Sequence, residues 1–254
     1  MSAVHLIWHD HLAELRLDNP ARLNALTLEM LGHLEAHCAT LDQSAARAVI
    51  VTAIGDRAFC TGADINAWGD LPPAEFARLW VRGGHRIFDR LARLPMPVIA
   101  ALSGHAFGGG LELAAACDIR VMAPGATLAL PEAGVGIVPG WSGTQRLVRL
   151  LPEAVVKEMA LFGRRIGAGR ALELGFVAEI AEDPRALAFA IAGQLPAQSP
   201  RATEVAKYMI HAAVGEDSAA MIEALGAGMI AASADKAEGV AAFRAKRKPE
   251  FPGA

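Results

Sequence analysis

Cysteine is scarce: only Cys38, Cys60 and Cys117 occur, an odd number in widely separated contexts. None belongs to a Cys-x-x-Cys pair or a Cys/His cluster at metal spacing. Neither a disulfide framework nor a metal site is indicated, and buried free thiols in a reducing compartment are expected. No window reaches the ~18 uncharged apolar residues of a membrane helix, because the best stretch, around 98–117, is broken by Gly, His and Glu. A basic start followed by an apolar run is also missing. Asp10, Glu14, Arg16, Asp18 and Arg22 crowd the first thirty residues, which argues against a cleavable signal and for a cytoplasmic protein. Strong charge of either sign is absent as well. With a net charge of -3 and one basic run (Arg244, Lys246, Arg247, Lys248), no nucleic acid or membrane partner is expected.

What is present is apolar residue: 53% of the chain is hydrophobic and 20% charged, enough to bury a sizeable core. Val4–Trp8 and Leu12–Leu17 read as a hairpin, and Asn19-Pro20 ends the second strand. Thr27 stands as an N-cap before Leu28, Leu31, Leu34 and Leu41 at helical spacing. Ala48–Thr52 and Val98–Leu102 are continuous apolar runs of the buried-strand type. A helix is expected over 74–94, stopped by Pro95 and Pro97. A short one over Leu111–Ala116 starts from Gly108-Gly109-Gly110. Ile119–Met122, Thr127–Leu130 and Phe176–Ile180 read as strands, and 134–143 as a Gly/Pro-rich loop. Helices are expected at 153–162, 168–174, 184–194, 200–213, 217–232 and 235–247. The result is an α/β body over 1–195 followed by a helical region over 196–254. No repeat of fixed period is present.

Three segments could carry chemistry. The run from Val98 to Glu112 is a strand, a glycine turn and a helix start, where main-chain N–H groups are open to an anionic oxygen. A tight turn with no ligand explains the glycines equally well. Glu112 follows them among Leu111, Leu113 and Ala114, so burial would raise its pKa towards the range useful for proton transfer. A first-turn glutamate complementing the helix dipole is the plainer reading. Glu132, at the end of the strand 127–131, is either a second acid–base group or a carboxylate at a surface turn. Around Cys60-Thr-Gly-Ala-Asp64, a free N–H could pair with one from the glycine turn as a two-donor oxyanion hole. Asp64 is explained as well by helix capping.

Taken in order, these blocks resemble the crotonase superfamily, the enoyl-CoA hydratase/isomerase family. The resemblance rests on Asn19-Pro20, Leu23-Asn24-Ala25-Leu26, Cys60–Asp64, Ser103–Asp118, Pro131-Glu132, Gly136–Gly140, Gly143–Leu147, Gly163–Ile166 and Glu238–Pro249, and runs from about residue 4 to 251.

It implies a crotonase-like spiral of β-β-α units holding the acyl-CoA site. The helical C-terminal region would serve trimerisation and form a coenzyme A lid, the assembly being a homotrimer or a dimer of trimers. It implies an acyl-CoA substrate, no cofactor beyond the coenzyme A moiety, and a place in fatty acid metabolism. The oxyanion donors would be the N–H groups of Ala63 and Gly109. Coenzyme A would run along Ala21, Arg22 and Leu23 and along Ala63, Asp64, Ile65 and Asn66, with Arg22 or the basic run meeting its phosphates.

Both glutamates of the family's hydratases align, at Glu112 and Glu132. Syn addition of water to a 2-enoyl-CoA is therefore expected, Glu112 activating the water and Glu132 protonating the α-carbon. Gly140 would help place that water. Trp141, where the family often has a small residue, would either narrow the acyl pocket or point into a subunit contact. The alternative is an enoyl-CoA isomerase or another acyl-CoA lyase of the family.

Overall fold

The structure, a computed structural model, describes residues 2–65, 69–216 and 226–254. The chain separates into two compact units, Met1–Pro200 and Arg201–Ala254. In the first, β1 (Ala3–His9) and β2 (Leu12–Asp18) form the expected antiparallel hairpin. A 3-10 turn, Pro20–Arg22, leads to α1 (Leu28–Asp42), where the Thr27 side chain accepts from the Met30 amide at 3.2 Å. Then come β3 (Ala48–Ala53), β4 (Ala58–Cys60), α2 (Pro73–Glu75), a π-wound segment Phe76–Val81 and α3 (Arg82–Ala92). β5 (Val98–Leu102), β6 (His105–Phe107), α4 (Gly109–Ala115), β7 (Ile119–Met122) and β8 (Thr127–Ala129) follow. After a 3-10 turn, Glu132–Val135, the unit continues through α5 (Gly143–Leu150), α6 (Glu153–Phe162), β9 (Ile166–Gly167), α7 (Ala168–Glu173), β10 (Glu179–Ile180) and α8 (Pro184–Ala192).

From β3 to β8, successive strands alternate between two sheets. One has the order β1-β2-β3-β5-β7-β10, parallel from β2 onward; the other is β4-β6-β8-β9. Each β-β-α turn adds one strand to each sheet, which is the spiral expected. Strands covered on both faces read as continuous apolar runs, as β5 does throughout and β3 does except at Thr52. Alternation then divides their side chains. Val49, Val51, Val98 and Ala100 face the main core with Met30, Leu34 and Phe88. Ala48, Ile50, Ile99 and Ala101 pack under Ala188 and Ala192 of α8. Each large aliphatic chain so buried is worth about 1.5–3 kcal/mol.

Several expectations need correcting. The strand over Phe176–Ile180 shrinks to Glu179–Ile180, because the Phe176 and Val177 amides turn back to the Ala171 carbonyl at the end of α7. The helix over 74–94 is present, but its first part is π-wound, with the Trp80 carbonyl accepting a side-chain donor at 3.2 Å. The loop after Pro131 is part 3-10 helix, and α5 begins at Gly143, ten residues before the next helix that periodicity suggests. Helix α4 starts at Gly109, two residues early. In the second unit, α9 (Pro200–Ala213) and the helix Ala234–Ala245 match expectation, and of the helix over 217–232, residues 217–225 lie outside the described residues. Among the described residues no helix is long and apolar enough to cross a membrane.

Candidate active site

Two asparagines build the first wall. Buried Asn24, left-handed at φ 56°, donates to the Ile54 and Ala58 carbonyls (3.0 and 2.9 Å) and accepts from the Asn19 amide at 2.9 Å. That fixes the Pro20–Leu26 turn against the chain entering β4, and the Thr61 amide, donating to the Leu23 carbonyl at 3.2 Å, ties it to the chain leaving β4. There Leu26 forms a parallel bridge with Ala63: its N–H reaches the Gly62 carbonyl at 2.7 Å, and its carbonyl accepts from Asp64 at 2.8 Å. In a parallel bridge the central residue's own N–H points the other way. The Ala63 amide is therefore turned away from Leu26. Arg22 closes the latch on Asp64 at 2.6 Å.

The second wall is the glycine turn. Gly108 has φ 50° and ψ -125°, a region open to glycine, and a Cβ there would stand 2.7 Å from Glu132 Oε1. Gly109 opens α4, so its N–H belongs to the first turn and has no partner within the helix. A Cβ on Gly109 would lie 3.5 Å from the Ala63 nitrogen, so the two backbones run side by side. At its far end α4 is secured by buried Arg120, which donates to the carbonyls of Ala114, Cys117, Asp118 and Phe176. A cation at a helix C-terminus complements the carbonyls exposed there.

Glu112 and Glu132 are both buried, at 3% and 8% exposure. Glu112 Oε1 accepts from the Trp141 and Gly143 amides at 2.7 and 2.8 Å. Burial pushes its carboxyl up to about 7; the two amides and Arg146 pull down, and Glu132 adds to the rise. Burial also raises Glu132, whose Oε2 is enclosed without a hydrogen-bond partner among the described residues. A buried, unsatisfied carboxyl oxygen is uncommon in folded proteins and marks a place made for something else.

These groups surround one cavity of about 160 Å³. Of the residues singled out from sequence, Ala63, Ile65, Gly109, Glu112, Glu132, Gly140 and Trp141 line it. Ala21, Arg22, Leu23 and Asp64 lie on the latched turn beside it, and Asn66 lies outside the described residues. In the second unit Arg247 of the basic run is held by Glu238 at 2.6 Å. Trp141 is in the wall of the cavity: its indole N–H donates to the Trp80 carbonyl and its ring packs on Trp80 and Phe88. Phe76, Trp80 and Val81 from the π-wound segment complete the apolar side. Nothing local in the sequence marks those three beyond a helical apolar pattern, so they were missed. Ser142, left-handed at φ 74° between two residues that hold Glu112, was missed for the same reason.

Comparison with known proteins places the fold in a known family. A family model described as enoyl-CoA hydratase/isomerase matches residues 9–254. The chain is 35% identical to the crotonyl-CoA hydratase of Syntrophomonas wolfei, over 95% of both proteins. It is also 35% identical to the carnitinyl-CoA dehydratase of Proteus mirabilis, over 99% of this chain and 98% of that one. Among solved structures, an enoyl-CoA hydratase from Bacillus anthracis superposes with a TM-score of 0.80 at 33% identity, covering 99% of each chain.

Proposed function

The chain belongs to the enoyl-CoA hydratase/isomerase family, and we propose that within it this protein is a hydratase, adding water in the syn sense to a 2-enoyl-CoA to give a 3-hydroxyacyl-CoA. The observation that carries this reading is the pair of buried carboxyls, Glu112 and Glu132, on one cavity with the Ala63 and Gly109 amides.

In the proposed reaction the thioester carbonyl accepts from those two amides, and a water sits between the carboxyls. Ionised Glu112 takes a proton from the water as its oxygen bonds to the β-carbon. The displaced electron pair moves through the α-carbon to the thioester oxygen, where two fixed donors stabilise the enolate. One such donor is worth ~10²–10³ in rate in a well-studied case. Protonated Glu132 then delivers its proton to the α-carbon from the same face, and a proton exchange resets the pair. Burial raises both carboxyls, Glu112 to about 7, so the pair can hold a proton near neutral pH; the base role of Glu112 and the acid role of Glu132 follow the resemblance to the family's hydratases.

Coenzyme A would lie along Ala21–Leu23 and Ala63–Asn66, with Ala63 and Ile65 shared with the cavity that takes the acyl chain. Gly140, on the wall beside Trp141, would help place the water. A cytoplasmic location, a role in fatty acid metabolism and a trimer or dimer of trimers belong to the same proposal. A panel of 2-enoyl- and 3-enoyl-CoA thioesters, read at the absorbance of the conjugated double bond, tests it. Rapid loss of that absorbance from crotonyl-CoA is expected. Efficient conversion of 3-enoyl-CoA with no hydration would make the protein an isomerase instead.

A further inference from the structure

Behind the cavity, and not among its lining residues, four side chains form a line of polar contacts ending on the turn that grips Glu112. Buried Arg146 of α5 donates to Asp89 Oδ1 at 2.5 Å. Asp89 Oδ2 lies 3.3 Å from His85 Nε2, one turn earlier on α3. The Ser142 hydroxyl lies 3.0 Å from His85 Nδ1 and 3.2 Å from Nε2. With Nε2–H directed at Asp89, Nδ1 is left as the acceptor for the Ser142 O–H; this assigns the neutral tautomer from its partners.

Ser142 needs such a partner. Its backbone is left-handed (φ 74°, ψ 10°), a conformation unfavourable for a non-glycine residue that persists only where the surroundings impose it. The residues on either side supply the two amides that converge on Glu112 Oε1. Successive N–H groups around a left-handed residue form a concave anion site, which opens if that residue relaxes. Helix α3 holds this turn at two adjacent positions. Gly84 lies directly against the Trp141 indole, and His85 meets the Ser142 hydroxyl.

We propose that His85 is a positioning residue for Glu112: by bracing Ser142 in its left-handed turn it keeps the Trp141 and Gly143 amides aimed at the carboxylate. Since those amides lower a carboxyl that burial raises, losing the brace moves Glu112 further up. The charged groups facing this assembly are Glu132 from the 3-10 turn, Arg146 from α5, Arg78 from the π-wound segment, and Asp89, Arg82 and Arg86 from α3, with Arg93 just beyond it 3.9 Å from Asp89. The kinetic consequence rests on the hydratase reading; the positioning does not, because it is read at the carboxyl itself.

The test follows the Glu112 titration by NMR of carboxyl-labelled full-length protein, assigned with Glu112→Gln, alongside the pH profile of crotonyl-CoA hydration. His85→Phe and Ser142→Ala should each raise the Glu112 midpoint by about one pH unit, tenfold in its ionisation equilibrium, and lower kcat more than they change KM. Ser142→Gly should keep the midpoint near wild type, since glycine holds the left-handed turn unaided. In that background His85→Phe should do nothing further. If His85→Phe fails to fold, His85→Ala at the same partly exposed site gives the comparison. Unmoved midpoints in both single variants, or an undiminished His85→Phe shift in the Ser142→Gly background, would overturn the positioning role. Shifted midpoints in a protein that hydrates no enoyl-CoA would instead overturn the hydratase reading alone.

Discussion

Glu112 is a residue whose function and stability pull in opposite directions. Its folded-state carboxyl sits near 7 against an ordinary 4.5, so the folded protein favours the proton. The associated stability is complete below about pH 4.5 and is lost as pH rises through about 7, leaving a cost on the order of 2–3 kcal/mol in alkaline buffer. Glu112→Gln removes that titration. The variant should melt above the wild type at about pH 8, with the advantage vanishing towards about pH 5, in a pH series of thermal melts. Trp141 carries a second prediction at this scale. The indole walls the cavity beside Gly140, so Trp141→Ala should move the kcat/KM preference towards longer or branched acyl chains, by up to ~1–3 kcal/mol for each methylene accommodated. An unchanged chain-length profile would place the ring's importance elsewhere. Glu112 was legible because a carboxylate among Leu111, Leu113 and Ala114 has no polar neighbour to satisfy it. His85 and Ser142 were not, because their importance lies in a backbone angle and a contact across 57 residues.

Among the elements, the long buried strands and capped helices were legible because their signals are local: a continuous apolar run, or Thr27 before a periodic one. Of the second sheet only β8 was, since β4 and β6 are three residues each and owe their pairing to the spiral rather than to pattern. The hairpin hides another long-range device. Glu14 of β2 is fully buried and would be raised by burial. Hydrogen bonds from Arg185 of α8, Arg16, Thr52 and His9 outweigh that and hold it far below the usual carboxylate range. A lowered carboxyl contributes stability above its unfolded value, and that contribution is lost as pH falls. Because Arg16 and Arg185 are partly exposed, the cluster is worth roughly 1–3 kcal/mol rather than the full worth of a buried pair. Glu14→Gln should therefore lower the melting temperature at about pH 7, by a margin that narrows below about pH 4.5. An equal margin at both pH values would mean that packing, not charge, is what Glu14 supplies.

In the molecule as a whole, the first unit contains every residue that lines the cavity, while the second presents Met209, Ile210, Val214, Met229, Ile230 and Phe243 exposed in the single chain. In the trimer proposed above, these side chains would be available to a neighbouring subunit. Folding of the first unit brings together Ala63, Gly109 with Glu112, and Glu132 from three separate stretches of chain, and the function proposed for this convergence is hydration of an enoyl thioester. The most direct test compares crotonyl-CoA hydration by wild type, Glu112→Gln and Glu132→Gln, with acyl-CoA binding measured on the same samples. Both variants should bind as the wild type does and turn over ~10²–10⁴ more slowly, the usual worth of positioned acid–base catalysis. Near wild-type hydration by either one would contradict the account.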